Sequence, residues 1–180
     1  MVPDDNVRHP LGRVFSRLVG GCRDGRTGVG RATVTAIHRM VERCRAADCP
    51  TMVVRMRSGW AVMGERQVFA GYCLLLPDPV VAHLNALAGF ERAQFLSDMT
   101  RLGDAILAAT SGLRINYAVF GNVEPALHAH VFPRYADEPI DTRTAQPWAF
   151  DWSAAPAYTE TSYGELRGRI AAALGADTTR

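Results

Sequence analysis

The sequence predicts one α+β domain built on an antiparallel sheet of about five strands. Short alternating or apolar runs are typical of strands, and an apolar stripe at helical spacing separates two groups of them. The length of 180 residues suits a single core. We expect this core over about 51–135, a helical addition over 1–50 and an aromatic extension over 136–180, all within one domain.

The first part of the chain predicts an irregular arm followed by a helix. About two dozen residues rich in glycine and charge show little periodicity. Between about Val29 and Ala47, apolar residues then recur at a 3,4,3 spacing, namely at Val34, Ile37, Val41 and Cys44. This stripe predicts a helix that ends near Asp48 and Pro50.

The core segment predicts strands and helices in alternating groups. Alternating or uniformly apolar runs predict strands over 51–57, 60–63, 67–76, 114–120 and 127–134. The run over 67–76 is largely apolar, as in a central strand buried on both faces. Helices predicted over 80–87 and 91–109 separate the first three strands from the last two.

The C-terminal extension combines aromatic residues with prolines and ends in a helix. Its aromatic residues are Trp148, Phe150, Trp152 and Tyr158, and its final helix has Leu166, Ile170 and Leu174 on one face. Such aromatic residues anchor an extended segment to its own domain, or they complete a dimer interface. The sequence leaves both interpretations open.

Composition excludes several classes of function. The chain contains no lysine, which removes Schiff-base chemistry and lysine nucleophiles. A formal net charge of +2 does not mark a nucleic-acid groove, so no nucleic-acid partner is expected. No apolar run approaches a membrane span of about 20 residues, and the N-terminus is acidic where a signal peptide would be basic. We therefore expect a cytoplasmic protein without a membrane partner.

The glycine-rich stretch over 25–33 superficially resembles a P-loop. Arg31 stands where the P-loop lysine is needed, and Ala32 stands where a magnesium-binding hydroxyl is needed. No apolar strand precedes the stretch. The sequence therefore does not predict a P-loop.

The four cysteines lack the compact spacing of a disulfide framework, and reduced thiols are expected. Cys73 lies within an apolar run and is expected in the core. Cys44 and Cys49 could form a zinc site with His83 and a further histidine. Core packing is the favoured interpretation, because Cys44 also completes the helical stripe.

Two histidines in the predicted strand over 127–134 are the strongest candidates for chemistry. Alternation places His128, His130 and Phe132 on one face of the strand. Residues two apart are about 6.6 Å apart along a strand, so both rings can contact one phosphate. One neutral imidazole can act as a nucleophile while the other donates a hydrogen bond. Two histidines at this spacing also occur by chance, and the residues alone leave both interpretations open.

The run His128-Ala129-His130-Val131-Phe132-Pro133-Arg134 resembles the signature of the histidine-triad (HIT) superfamily. In that family, histidines alternate with apolar residues in a strand that often ends in Pro-Arg. Aligned on this ending, His130 corresponds to the third histidine, His128 to the middle one and Ala126 to the first. The segment 69–77, with its Gly-Tyr-Cys-Leu, is similar to another strand of the family, so the resemblance covers about 51–135.

The resemblance implies a HIT-like fold and hydrolysis at the α-phosphate of a nucleotide derivative, such as a dinucleoside polyphosphate or a nucleoside phosphoramidate. It implies that His128 attacks this phosphate to give a nucleotidyl-histidine and that His130 stabilises it. Asn122 corresponds to a family residue that contacts the phosphate or leaving group, and Asn116 lies one residue from a family asparagine. Arg134 would reach the phosphate if the strand stays regular past the proline, or it makes a structural ion pair.

Ala126 departs from the family pattern. The first histidine of the family helps to position the nucleophile and is a zinc ligand in some members, and alanine does neither. A catalytically silent nucleotide-binding module is therefore a competing hypothesis, and a nucleotidyltransferase or phosphorylase that uses the same histidine is another. We expect a nucleotide partner and no cofactor or metal, and a homodimer is possible because family members commonly pair.

Overall fold

A five-stranded antiparallel sheet organises the residues that the structure describes. Its strands are β1 (Met52–Arg55), β2 (Gly59–Met63), β3 (Cys73–Pro77), β4 (Arg114–Ala118) and β5 (Ala129–Arg134). They lie in the order β1-β2-β3-β5-β4, with every neighbouring pair antiparallel. The predicted α+β class and the strand number are confirmed.

The computed structural model describes residues 34–140 and 143–177, which fall within one compact unit that starts at Val34. The predicted irregular arm lies outside the described residues. That residues 1–33 belong to the same domain stays a prediction. In the described part, no helix is long and apolar enough to cross a membrane.

Within the described residues, three α-helices flank the sheet: α1 (Ala36–Arg45), α2 (Gly89–Ala109) and α3 (Glu160–Asp177). The helix predicted over 80–87 is reduced to one 3₁₀ turn, Leu84–Ala86. Just before this turn, the carbonyl of Val81 accepts a hydrogen bond from the backbone N–H of Leu127 at 2.8 Å. This contact holds the chain beside the entry to β5 and uses a carbonyl that a helix would need.

Helix α1 begins later than its apolar stripe. The hydroxyl of Thr35 accepts from the backbone N–H of His38 at 3.4 Å, and the His38 ring accepts from the backbone N–H of Thr35 at 3.3 Å. This reciprocal cap fixes the start of the helix. Ile37, Val41 and Cys44 are buried as predicted, whereas Val34 precedes the cap and is exposed.

Strand β3 is shorter than the apolar run that predicted it. The segment before Cys73 folds into a turn in which the buried Gln67 side chain accepts from the backbone N–H of Gly71 and donates to the carbonyl of Tyr72. Gly71 has a φ of 93°, in the left-handed region that favours glycine. Hydrophobic periodicity could not predict this turn, because the turn depends on hydrogen bonds between the side chain of Gln67 and the backbone.

The two faces of the sheet have different roles. One face packs on α2 and α3 and forms the main core, which includes Met63, Cys73, Leu75, Phe95, Leu102, Ile106, Ala129, Val131, Ile170 and Leu174. The opposite face is covered by α1 at one end and by an aromatic cluster of Phe69, Tyr72, Phe132 and Trp152 at the other. His128 and His130 lie on this second face.

A fully buried carboxylate ties α2 to the turn between β1 and β2. One oxygen of Asp98 accepts from the backbone N–H and the hydroxyl of Ser58, both at 2.7 Å, and the other accepts from the Gln94 amide at 2.9 Å. Arg101 lies 3.5 Å from the same carboxylate. A buried charge held by several hydrogen bonds makes this turn sensitive to substitution.

We expect Asp98→Ala to lower the free energy of unfolding by about 2–3 kcal/mol, because it leaves the half-buried backbone N–H and hydroxyl of Ser58 without their acceptor. Urea unfolding monitored by circular dichroism measures the loss. Asp104→Ala removes an exposed carboxylate from the same helix and is the matched control. Equal stability of the two variants would contradict this role for Asp98.

Candidate functional site

The candidate site is built on β5, which lies between β3 and β4. His130 is opposite Leu74 of β3 and Ala118 of β4. Its neighbours Ala129 and Val131 are fully buried in the main core, so alternation directs His130 and Phe132 to the other face. The register of the sheet therefore determines which face carries the imidazoles.

The two histidine rings lie against each other. Their centroids are 4.8 Å apart, with an angle of 70° between the ring planes. His128 is 6% exposed and His130 is 4% exposed. The structure thus brings both predicted catalytic residues together in a buried pair.

A backbone carbonyl orients His128. Its Nδ1 lies 2.8 Å from the carbonyl oxygen of Ala126. A carbonyl oxygen can only accept, so Nδ1 carries the proton and donates it. In the neutral ring the lone pair then lies on Nε2, which can act as a nucleophile or a base.

A buried tyrosine contacts His130. The hydroxyl oxygen of Tyr72 lies 2.7 Å from Nδ1 of His130. Burial, and then the neighbouring His128, lower the pKa of His130 to about 3, and burial raises the pKa of Tyr72 well above its usual value. Both groups are therefore neutral at neutral pH.

An aromatic residue of the C-terminal extension covers His130. Trp148 stands edge-on to His130, with centroids 5.3 Å apart, and contacts Phe132 at 5.6 Å. The indole N–H of Trp152 donates to the carbonyl of Pro147 at 2.9 Å, which holds the short 3₁₀ turn Pro147–Ala149 in place. Of the two interpretations of the aromatic tail, the structure shows docking onto its own domain.

Solved structures of other proteins have the same fold as these elements. A histidine triad protein from Marinobacter aquaeolei matches with a TM-score of 0.61 and 19% identity, over 75% of this chain and 94% of its own. A hypothetical histidine triad nucleotide-binding protein from Sulfolobus tokodaii matches with a TM-score of 0.60 and 12% identity, over 77% and 92%. The chain has the histidine-triad fold. No protein-family model and no curated protein matches the sequence.

A third structure extends the match over more of the chain. A Hit-like protein from Bartonella henselae gives a TM-score of 0.59 at 15% identity, over 80% of this chain and 99% of its own. The histidine-triad fold therefore includes more than the segment 51–135 that the sequence signature indicated.

Two asparagines were predicted to contact phosphate in the histidine-triad fold. Asn116 is opposite Phe132 in the sheet, so it lies on the histidine face, where it is half-buried. Asn122 is exposed in the turn between β4 and β5. Their phosphate-binding role stays a prediction.

Arg134 makes the structural ion pair that was one of its two predicted roles. Its Nε lies 2.9 Å from one carboxylate oxygen of Glu138, and Nη2 lies 2.5 Å from the other. The same guanidinium donates to the carbonyls of Arg143 and Ala145 and lies over the ring of Phe69. Arg134 therefore anchors the extension to β5, and a phosphate contact would require it to leave these partners.

A cavity of about 410 Å³ lies beside this anchor, at the end of β4 and β5. Arg114, Asn116, Arg143 and Gln146 are among its lining residues, and neither histidine lines it. This cavity is therefore separate from the histidine pair.

Ala126 places its methyl group in an apolar cluster with Cys44 and Cys49, under α1. All three residues are buried, and Cys73 is buried in the main core. Within residues 34–140 and 143–177, no three His, Cys, Asp or Glu side chains gather to hold a metal ion. The favoured interpretation of Cys44 as a core residue agrees with this packing.

Tyr72 and Trp148 are site residues that the sequence patterns did not indicate. Tyr72 directly precedes β3 and is in phase with Leu74, the residue opposite His130, so strand pairing could have placed it on the histidine face. Trp148 belongs to the aromatic C-terminal extension, but a local sequence pattern does not indicate which surface such an extension covers.

We expect Trp148→Ala to speed the modification of His130 by diethyl pyrocarbonate several-fold, because the substitution removes a ring that covers this imidazole. Mass spectrometry of the peptide that contains the two histidines measures the rate. Phe150→Ala, which removes another aromatic ring of the same segment, is the control. An unchanged rate in Trp148→Ala would mean that other groups exclude the reagent.

The ion pair between Arg134 and Glu138 predicts that the stability of the protein depends on pH. Burial alone would raise the pKa of Glu138, but the Arg134 guanidinium and the backbone N–H of Tyr135 outweigh it and hold this pKa below its ordinary value of 4.5. A lowered pKa in the folded state stabilises the protein above about pH 4.5, and this contribution is lost as the pH falls through the lowered pKa.

We therefore expect Glu138→Gln to cost about 1–3 kcal/mol of unfolding free energy at pH 7 and less as the pH drops below 4.5. Urea unfolding at several pH values measures the difference from the wild type. Asp137→Asn, an exposed neighbour, is the control. A difference that stays constant down to pH 3 would contradict the ion pair as its source.

Proposed function

We propose that this protein binds nucleotides and hydrolyses a nucleotide derivative at its α-phosphate, with His128 as the nucleophile. The observation that carries the proposal is the 2.8 Å contact between Nδ1 of His128 and the carbonyl of Ala126. This hydrogen bond directs the lone pair of the imidazole to Nε2, the form that a nucleophilic histidine requires.

The reaction has two steps. In the first, Nε2 of His128 forms a bond to the α-phosphorus while the bond to the leaving group breaks, and the leaving group keeps the electron pair and takes up a proton from solvent. In the second, a water oxygen bonds to the same phosphorus and gives up a proton to solvent. The phosphorus–nitrogen bond then breaks with its electron pair returning to Nε2, and a nucleoside monophosphate leaves. His130 lies within 4.8 Å of His128, measured between ring centroids, and supplies a hydrogen bond to a phosphoryl oxygen.

The absence of a histidine at position 126 does not remove this geometry. The group of Ala126 that orients His128 is its main-chain carbonyl, and every residue type carries one. The alanine lacks only the contacts that an imidazole would add, and its methyl group packs in the cluster under α1. The proposal therefore does not require a complete triad.

The fold and the chemistry of the histidine pair support this substrate class. A phosphorus atom linked to a good leaving group fits a nucleophilic imidazole, and a dinucleoside polyphosphate or a nucleoside phosphoramidate supplies one. The fold is similar to that of a protein from Sulfolobus tokodaii described as nucleotide-binding, which supports a nucleotide as the ligand.

A catalytically silent nucleotide-binding module is the second candidate. The observation that favours it is the burial of both histidines, at 6% and 4% exposure, together with the ring of Trp148 against His130. The groups that bury the pair must move before a substrate reaches both imidazoles. A protein in which the cover never opens would hold nucleotides elsewhere on this face and release no product.

The decisive experiment follows AMP release from diadenosine tetraphosphate and, separately, from adenosine phosphoramidate. We expect His128→Ala to lower kcat by at least about 10³-fold, because it removes the nucleophile. His130→Ala should lower kcat by about 10²-fold or more, the usual effect of losing one donor to the reacting phosphate. His83→Ala, which removes an exposed histidine far from β5 in sequence, is the matched control.

Nucleotide affinity is titrated in parallel by calorimetry. If the wild type binds AMP but releases none from either substrate, the hydrolase proposal fails and the silent module replaces it. If AMP release appears only when an acceptor other than water is added, a nucleotidyltransferase or phosphorylase replaces both.

A further inference from the structure

We propose that Tyr72 is a positioning residue that fixes His130 in the tautomer with its proton on Nε2, so that the two histidines of the pair hold opposite tautomers. The catalytic consequence rests on the proposed function, whereas the tautomer itself does not. This tautomer is the one that satisfies the hydrogen-bonding groups around the buried phenol of Tyr72.

The phenol hydrogen of Tyr72 needs an acceptor, because the residue is only 4% exposed. Among the described residues, the hydroxyl has one hydrogen-bond partner, Nδ1 of His130 at 2.7 Å. If Nδ1 carried the imidazole proton, the phenol could accept it, but its own hydrogen would then be buried without an acceptor. The arrangement that satisfies both groups has Tyr72 donating to a bare Nδ1, which leaves the proton of the neutral ring on Nε2.

The protonation states of the two groups support this arrangement. Burial lowers the pKa of His130 to about 3 and raises that of Tyr72, so one imidazole proton and one phenol proton are present across the neutral range. Apart from Tyr72, His130 faces the titratable ring of His128, with centroids 4.8 Å apart. The Nδ1 proton of His128 is already held by the carbonyl of Ala126.

Packing holds the phenol in this position. Its ring stacks on Phe132 at 4.5 Å and meets the edge of Trp152 at 5.5 Å. Gly64 leaves room for it, since a Cβ at that position would lie 2.2 Å from the tyrosine ring. The Gln67 amide also donates to the carbonyl of Tyr72 at 3.0 Å. A side chain fixed on several sides can impose a tautomer on its partner, which a mobile one cannot.

Opposite tautomers give the two histidines different roles. His128 donates through Nδ1 and presents a lone pair at Nε2, whereas His130 accepts at Nδ1 and presents an N–H at Nε2. Only the first can attack phosphorus, and only the second can donate to a phosphoryl oxygen. Tyr72 and the carbonyl of Ala126 together would thus decide which histidine is the nucleophile.

Nitrogen-15 NMR of the full-length, histidine-labelled protein at pH 7 tests the tautomer directly, without substrate. The His130 signals are identified by their absence in His130→Gln. In the wild type we expect a bare, pyridine-like Nδ1 and a protonated, pyrrole-like Nε2. In Tyr72→Phe, which keeps the ring and loses the hydroxyl, we expect both signals to move towards the average of two exchanging tautomers.

Tyr135→Phe is the matched control, because this hydroxyl also lies at the aromatic cluster but donates to the carbonyl of Ala70. It should leave the His130 signals unchanged. A protonated Nδ1 in the wild type, or identical His130 signals in the wild type and Tyr72→Phe, would overturn the inference. Circular dichroism of each variant checks that the fold is intact.

The kinetic consequence is measured separately. With diadenosine tetraphosphate we expect Tyr72→Phe to lower kcat by about tenfold to a hundredfold, with KM changed little, because a donor to the reacting phosphate is lost for part of the time. If the wild type releases no AMP, the proposed hydrolase function fails, while the NMR result still decides the tautomer. If the tautomer is as expected but kcat is unchanged in Tyr72→Phe, Tyr72 sets the tautomer of His130 without affecting the reaction, and the catalytic consequence is overturned.

Discussion

The antiparallel pairing of β5 between β3 and β4 determines the rest of the candidate site. It places His130 opposite Leu74, and by continuation of the same register it places Tyr72 beside Phe132. Successive residues of a strand point to opposite faces, so a shift of one residue would turn both histidines into the main core. The fully buried Ala129 and Val131 oppose such a shift, because they occupy core positions that imidazoles could not fill without hydrogen-bond partners.

Part of the site depends on the main chain rather than on side chains. The carbonyl of Ala126 orients His128, and the side chain at that position packs elsewhere. A signature defined by residue types treats the alanine at position 126 as the loss of a functional histidine. In the structure, the backbone carbonyl at that position still accepts the hydrogen bond from His128. A sequence that departs from a pattern at one position can therefore preserve the hydrogen bond that the position supplies.

Local patterns were sufficient to predict the sheet, the long helices and the shared face of the two histidines, because periodicity is a property of neighbouring residues. They did not predict the start of β3, which depends on the Gln67 side chain, or the contact between Tyr72 and His130, which joins residues 58 apart in sequence. Arg134 illustrates the same limit. Its position at the end of the strand allowed either a phosphate contact or a structural ion pair, and only the folded chain shows that Glu138 and two carbonyls bind it.

The cover over the histidines is part of the same chain, which affects how any ligand would compete with it. Trp148 contacts His130 from a segment that the Arg134–Glu138 pair and the Trp152–Pro147 hydrogen bond hold in place. The cover is thus an intramolecular competitor whose effective concentration does not fall on dilution. Some ligands bind only when Trp148 is displaced from His130. The apparent affinity of such a ligand is its intrinsic affinity multiplied by the fraction of molecules in which Trp148 is displaced. Residues that hold this segment in place therefore affect how accessible His130 is to a ligand, although they do not contact it.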